Sequence, residues 1–250
     1  MPRFKDQAIC IRHIDWSESS QIVALLTKDH GKVRGLAKGS KRMSPGSIAR
    51  FSGGVELLTG GQVVAVTRPT SDLATITEWD LQQPNHHLHE QLDAQRLALY
   101  AADTVHAMLA DHDPHPNVFA AVELFLEQLA EPTGHASTLL RFHWSLLADC
   151  GYRPQLDDDV VAGGPLPERD VYRFDPQRGG FTSAGAEISS STWGVRRQTL
   201  ELLRHTAGGH GNGSGEVVER ANRFLCVYMR AILDRQLPTM RHVLGDPPSS

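Results

Sequence analysis

Hydrophobic and polar positions change period once along the chain. Up to about residue 82 the apolar residues come in short β-branched and aliphatic runs divided by glycine and polar joints. QAICIRH (7–13) and SQIVALLTK (20–28) flank the joint IDWSES, and GKVRGLAKGSKR (31–42) follows. VELLT (55–59) and QVVAVTR (62–68) meet at Gly60-Gly61, a dipeptide suited to a hairpin turn, and SDLATITEWDL (71–81) adds another run. Several short strands with frequent glycine and no helical period predict a small closed antiparallel barrel of the OB type.

From Pro84 the period becomes helical. Segments 90–111, 117–130 and 137–151 each carry one apolar face, the last with Leu139, Phe142, His143, Leu146 and Cys150 and a stop at Gly151. Their short connections predict antiparallel neighbours in a bundle. Residues 152–192 are rich in Gly, Pro and Asp and predict a small irregular or β-ribbon insert. Helix resumes near Trp193 and runs to about His205, the stretch 207–215 reads as a flexible connector, and a long last helix covers about 216–236. The expected architecture is α+β and multidomain: an OB barrel over 1–82, a helical domain over 83–245 containing the insert, and a disordered tail at 246–250.

Charge sharpens this division. The chain of 250 residues has a formal net charge of -4, yet residues 1–84 hold 11 basic against 8 acidic groups and residues 85–250 hold 14 against 21. All five lysines lie in the first 41 residues. Between His30 and Val55 six basic residues (Lys32, Arg34, Lys38, Lys41, Arg42 and Arg50) meet no acid. A compact cationic surface on an anionic protein attracts a polyanion at one place and repels it elsewhere. Arg12 and Arg68 extend the patch. Phe4, Trp16 and Phe51 are the nearest aromatics, and their scarcity favours contact with a sugar-phosphate backbone over reading of bases.

Other chemistry finds little support. GKVRGLAKGSKR lacks the G-x-x-x-x-G-K-[ST] pattern of a phosphate loop and lies among strands. Histidines cluster at His86, His87 and His89 and at His112 and His115, both in linkers, where a polar connector is the plainer reading than a metal site. Asp157, Asp158 and Asp159 are consecutive, so their side chains diverge instead of pairing for acid–base work. No G-x-S-x-G or H-E-x-x-H motif is present, which argues against an enzyme. No apolar run reaches membrane-spanning length, and Cys10, Cys150 and Cys226 are too few and too scattered for a disulfide framework, which fits a reducing cytoplasm.

Three stretches carry a family resemblance: AICIRHIDWSESSQIVALLTKDHGKVRGLAKGSKR (8–42), RFHWSLLADCGYRPQL (141–156) and LDRQLPTMRHVL (233–244). In them the chain resembles RecO, the bacterial recombination mediator of DNA repair. The resemblance implies an OB barrel, a helical bundle and a small zinc-binding insert. It also implies binding of single- and double-stranded DNA, annealing of complementary strands, and, with RecR, loading of RecA on DNA coated with single-strand-binding protein. On this basis Arg12, Lys32, Arg34, Lys38, Lys41 and Arg42 are the expected DNA contacts. Arg141 is expected to help receive the C-terminal tail of single-strand-binding protein, and the expected location is the cytoplasm, at the nucleoid. The alternative is a non-enzymatic adaptor whose barrel binds acidic protein tails in place of DNA.

One departure from the family concerns metal. Where many relatives have C-x-x-C-G and a second C-x-x-C, this chain has Asp159-Val-Val-Ala162-Gly163 and Ser183-Ala-Gly-Ala186. Those residues cannot build a tetrahedral zinc site. The insert is therefore expected to hold no zinc or other cofactor and to be ordered by packing of Val160, Leu166, Tyr172, Phe174 and Phe181. Metal analysis of the purified chain should find far less than one zinc per molecule; a stoichiometric content would contradict the expectation.

Overall fold

The structure, a computed structural model, describes residues 2–68, 71–183, 192–208 and 215–245. The tail expected at 246–250 and most of the connector expected at 207–215 lie outside the described residues. Two compact units divide the chain, Met1–Ala130 and Glu131–Ser250.

The first unit is built on five strands: β1 (Arg3–Ser17), β2 (Ser20–Thr27), β3 (Gly31–Ala37), β4 (Gly60–Arg68) and β5 (Ser71–Gln83). They close in the order β1-β2-β3-β5-β4, with β4 returning to β1, so the expected OB-type barrel is present. Neighbours run antiparallel except β3 and β5, which pair in parallel over Gly35–Ala37 and Ala74–Ile76. β1 serves two partners, β4 with its first half and β2 with its second, and register shifts at Cys10/Arg12 and Asp15/Ser17 bend it between them. Alternation sends Ala8, Cys10, Val23, Leu25, Val33, Val63, Ala65 and Ile76 inward, where Phe51, Val55 and Trp79 complete the core. Burial pushes the Cys10 thiol up to about 12, which makes it a packing residue and not a nucleophile.

Two local expectations are corrected. Gly60-Gly61 does not turn a hairpin, and 55–59 is not a strand. Gly61 lies within β4, opposite Ala8 of β1 on one side and Leu81 of β5 on the other. A Cβ there would run into the Asp80 carbonyl, so the glycine serves close strand approach and not a turn. Val55 is instead fixed to the Gln21 amide, which donates to its carbonyl and accepts from its N–H at 3.1 and 3.0 Å. The second correction is a short helix, α1 (Pro45–Phe51), which delivers Phe51 to the barrel core. Ser44-Pro45 was its signal, since proline at the first helical position leaves no N–H wasted.

Two helices, α2 (Leu92–Met108) and α3 (Pro116–Gln128), complete this unit and pack on β1 and β2 respectively. They follow a 3-10 turn at His86–His89, in which Leu88 is the buried residue.

The second unit holds α4 (His135–Asp149), α5 (Arg197–Ala207), α6 (Gly215–Leu233) and a last short turn α7 (Arg241–Leu244). The insert forms a three-stranded sheet, β6 (Val171–Asp175), β7 (Gly180–Thr182) and β8 (Trp193–Arg196), with β6 in the middle. Its core is aromatic. Phe174 meets Phe181, Trp193, Phe224 and Tyr228 with centroids 4.8–5.3 Å apart, so α6 supplies two of the rings. Tyr172, Phe174 and Phe181 are buried as expected, while Val160 and Leu166 are only partly covered.

At the positions of the expected zinc knuckles, Asp159 does the joining. Its Oδ1 accepts the Val161 and Ala162 N–H groups at 3.0 and 2.9 Å, and its Oδ2 accepts the N–H and hydroxyl of Ser183 at 2.8 and 2.9 Å. Burial alone would raise the Asp159 pKa, but bonds from Ser183, Ala162, Thr182 and Val161 hold the carboxyl well below its usual range. With both oxygens engaged by donors and no thiolate beside them, Asp159, Ala162 and Ser183 do not fit a zinc ion; Ala186 lies outside the described residues.

α4 and α6 share a buried polar stitch. Asn222 donates from Nδ2 to the Ala136 carbonyl at 2.7 Å, so its Oδ1 is the acceptor for His143 Nδ1–H at 3.1 Å. His143 is fully buried and its pKa falls to about 3, since burial penalises the imidazolium more than the Asn222 bond supports it. The unfolded chain therefore binds a proton here that the folded chain does not, between the ordinary value of 6.5 and about 3. Stability contributed by His143 is full above that window and declines as pH falls through it. Urea midpoints at pH 7.5 and at about pH 5 should drop more for the native chain than for His143→Gln; equal drops would refute the assignment.

Candidate nucleic-acid interface

Alternation along β3 sets the first element of the site. Val33, Gly35 and Ala37 face inward, so Lys32, Arg34 and Leu36 point outward, with Lys38 continuing the row beyond the strand end. The glycines of GKVRGLAKG lie between these positions; at Gly35 a side chain would strike Ile76 where β3 and β5 pair.

Lys32 does not reach solvent. It is 6% exposed, and its ammonium donates to the carbonyls of His106 and Leu109, both at 2.7 Å, at the C-terminal end of α2. Asp111 Oδ1 stands 3.2 Å away, and the His112 N–H donates to the Lys32 carbonyl at 2.9 Å. A cation on the last carbonyls of a helix satisfies acceptors that have no helical partner and sits at the negative end of the dipole. Lys32 thus fastens α2 to the barrel and has no face to offer a polyanion.

Two further cations are partly spent. Arg34 Nε donates to Asp111 Oδ2 at 2.7 Å, and Lys41 Nζ donates to Asp15 Oδ2 at 2.7 Å. Although burial pushes the Asp111 carboxyl upward, its bonds to Lys32 and Arg34 prevail and hold it below its ordinary value. His106, beside them, is pushed down by burial and by the charges of Lys32 and Arg12. Arg34 stays 44% exposed along its side chain and Lys41 35%, so both pairs open on solvent. Arg12 is exposed, with no carboxylate at ion-pair distance among the described residues.

The remaining cations converge. Lys38, Arg42 and Arg50 border one cleft of about 300 Å³ at the end of the barrel where β3 and β5 part, together with Ser44, Thr75 and Thr77. None of the three is ion-paired among the described residues; Arg50 bonds only the Gly46 carbonyl of its own helix, at 3.1 Å, and lies over Phe51. The turn carrying Lys38 and Arg42 is fixed from beneath. Ser20 Oγ accepts the Gly39 N–H at 3.1 Å, Ser40 donates to Gln21 Oε1 at 2.9 Å, Ser47 donates to the Gly39 carbonyl, and Lys41 N–H donates to Ser19 at 3.2 Å. Gly39, at φ +74°, supplies the left-handed step of this turn. Fixed cations and hydroxyls around an open cleft suit the oxygens of a phosphodiester.

Of the residues expected to contact DNA, Lys38 and Arg42 border this cleft and Lys32 is buried, while Arg50 and the hydroxyl residues of the cleft were not among the expected contacts. Ser44-Pro45 would have located Arg50 on the last turn of α1; nothing in the sequence marks Thr75 or Thr77. Among the described residues no group of three His, Cys, Asp or Glu side chains is placed to hold a metal. His87 bonds the Leu126 carbonyl at 2.9 Å. Asp157 pairs with Arg204 and Asp159 turns inward, so the three aspartates diverge as expected. No helix among the described residues is long and apolar enough to cross a membrane.

The second unit offers its own surface features. Arg141 is exposed on α4 and donates to Thr138 Oγ1 at 3.1 Å. A separate pocket of about 420 Å³ has an apolar floor of Val195, Phe224 and Val227 and a rim of Arg196, Arg220 and Arg223. Trp193 Nε1 and Arg220 Nε, on residues lining it, are buried donors without an acceptor among the described residues.

The family model described as the N-terminal part of recombination protein O matches residues 1–85, and that of its C-terminal part matches residues 89–241. The DNA repair protein RecO of Myxococcus xanthus is 32% identical over 180 residues, which cover 72% of this chain and 71% of that protein. The DNA repair protein RecO of Anaeromyxobacter sp. (strain Fw109-5) is 28% identical over 246 residues, covering 96% and 94%.

The two fates of lysine on β3 and its following turn separate by stability. Lys32→Met should cost about 2–4 kcal/mol, because buried carbonyls lose their donor. Lys38→Ala should stay within about 0.5 kcal/mol of the native chain. Urea denaturation followed by circular dichroism measures both; equal midpoints would refute the structural role of Lys32.

Proposed function

The chain belongs to the RecO family of DNA repair proteins, and from that premise we propose that it is a non-enzymatic DNA-binding recombination mediator. The observation that carries the reading is the cleft on which Lys38, Arg42 and Arg50 converge without ion-pair partners among the described residues. Arg12, Arg34 and Lys41 extend the cationic surface; Arg34 and Lys41 exchange a carboxylate for a phosphate when DNA arrives. Lys32 contributes by holding the fold and not by contact.

The mechanism is electrostatic. Cations on the barrel module, residues 1–82, neutralise phosphates on two strands whose mutual repulsion otherwise keeps them apart, and so let complementary bases meet. Counterions released from both strands supply much of the driving force. Both single- and double-stranded DNA are ligands of this surface. No group in the cleft needs to make or break a covalent bond.

The helical part, residues 83–245, serves protein partners: RecR, and single-strand-binding protein through its C-terminal tail, with RecA loading as the outcome. Arg141 is the proposed contact for that tail. The second-unit pocket supports a tail-binding role, since its apolar floor, arginine rim and two unused buried donors suit a segment with an apolar side chain and carboxylate acceptors. The reading assigns the protein to the cytoplasm, at the nucleoid.

Gel-shift titration at rising salt tests the central claim. The logarithm of affinity should fall linearly with the logarithm of salt concentration. Lys38→Glu with Arg42→Glu should weaken binding of every sequence and flatten the slope by roughly 1.4 for single strands. Annealing of complementary oligonucleotides coated with single-strand-binding protein should slow in parallel. Unchanged affinity and slope in the double variant would overturn the proposal.

A further inference from the structure

Alternation along β2 puts an amide where an apolar residue is expected. Val23 and Leu25 face the barrel core, and Gln21, two residues before Val23, turns the same way. It stands opposite Ala37 of β3, itself a core residue, and is 6% exposed. Stability alone does not call for an amide at an inward position, because its bonds replace bonds to water and contribute modestly.

What this amide does is close a loop. Gln21 Oε1 accepts the Ser40 hydroxyl at 2.9 Å and the Val55 N–H at 3.0 Å, while Nε2 donates to the Val55 carbonyl at 3.1 Å. One oxygen thus receives both ends of segment 40–55. Within that segment lie α1 and two of the three cations of the cleft, Arg42 and Arg50. Its base is rich in permissive backbone: Gly39 at φ +74° precedes it, and Gly53 and Gly54, at +93° and +138°, lead out of it. The far end of α1 is anchored separately. Phe51 enters the core, and the Ser52 hydroxyl donates to the Trp79 carbonyl and accepts the Leu81 N–H, both at 3.2 Å. Gln21 joins that anchored end to the turn that carries Arg42.

From this geometry we infer that Gln21 is a positioning residue of the interface: it closes segment 40–55 at its base and so holds Arg42 and Arg50 at one spacing across the cleft. The inference rests on the proposed DNA-binding role and deepens it. Gln21 itself touches no ligand; it is buried and acts through the two arginines. Once one arginine has met a phosphate, the other meets the next with an effective concentration set by how stiffly the two are joined. A segment open at its base lets the arginines move apart, and the second contact then carries the entropy of a free loop. An inward amide is thus explained by what it holds in place outside the barrel.

A double-mutant cycle separates this role from a merely structural one. The native chain, Gln21→Met, Arg42→Ala with Arg50→Ala, and the combination of all three are titrated with a fluorescein-labelled thymidine oligomer across a salt series. Ser40→Ala, which removes one end of the closure and nothing from the apolar core, goes through the same cycle. Circular dichroism and urea midpoints check that each variant is folded; should Gln21→Met fail to fold, Ser40→Ala decides alone. Each of the two should weaken binding at least about 3-fold in the native background and less than about 1.5-fold where both arginines are alanine. The salt slope should flatten by at most roughly 1.4, the share of two phosphate contacts on a single strand. Backbone amides of residues 40–55 should exchange with solvent faster in both variants, while those of β4 keep their native rates. Equal losses in the two arginine backgrounds would make Gln21 a stability residue and overturn the inference, as would native-like binding by both variants. Native affinity in the chain lacking only Arg42 and Arg50 would reject the cleft itself as the DNA contact, whatever Gln21 does.

Discussion

A single ammonium, that of Lys32, decides how the first unit is assembled. β3 can present its neighbouring cations outward only if the strand is held at both ends. At its start that hold is made by the carbonyls at the end of α2 and by Asp111. The backbone follows the side chain: Lys32 and Asp111 bridge in parallel, and Gly31, at φ +70°, passes so near Asp113 that a side chain would collide with its backbone. Burying a lysine is costly unless its protons are all received. Two carbonyls and a carboxylate receive them here.

The other end of β3 is held by hydrogen bonds in place of charge. Ser20, Gln21, Ser40 and Ser47 form a buried polar lattice under the turn that displays Lys38 and Arg42. Flexible cationic side chains lose entropy on binding, and a fixed backbone limits that loss to the side chains themselves. The surface around them is graded. Arg34 and Lys41 are tied to acids, whereas Lys38, Arg42 and Arg12 carry their charge with no such partner among the described residues. Tied cations keep the protein from attracting anions indiscriminately, and the untied ones give the surface its direction.

Much of this fold was legible because its signals are local. The switch from alternating to helical period near Pro84 separated barrel strands from helices, and the positions of α2, α3, α4 and α6 followed from their apolar faces. Misreadings arose where a residue answers to distant neighbours. Gly60-Gly61 has the composition of a turn, yet its task is to let three strands approach. Lys32 and Arg34 stand two residues apart in an alternating run, yet Asp111, 77 residues beyond Arg34, buries one and tethers the other. Local sequence cannot show that. The candidate cations could be named from the sequence, and their division into buried, tethered and open charges could not.

The insert's reliance on Asp159 has a consequence for the life of the molecule. A cysteine cluster has to be loaded with an ion and kept reduced, so proteins that use one inherit the supply and redox state of their surroundings. A carboxylate that gathers amide and hydroxyl donors from both loops needs neither delivery nor protection. Oxidants, chelators and metal starvation have no purchase on that junction. A repair factor is called on when cells are under chemical stress, and a join made only of its own backbone and side chains holds under those conditions.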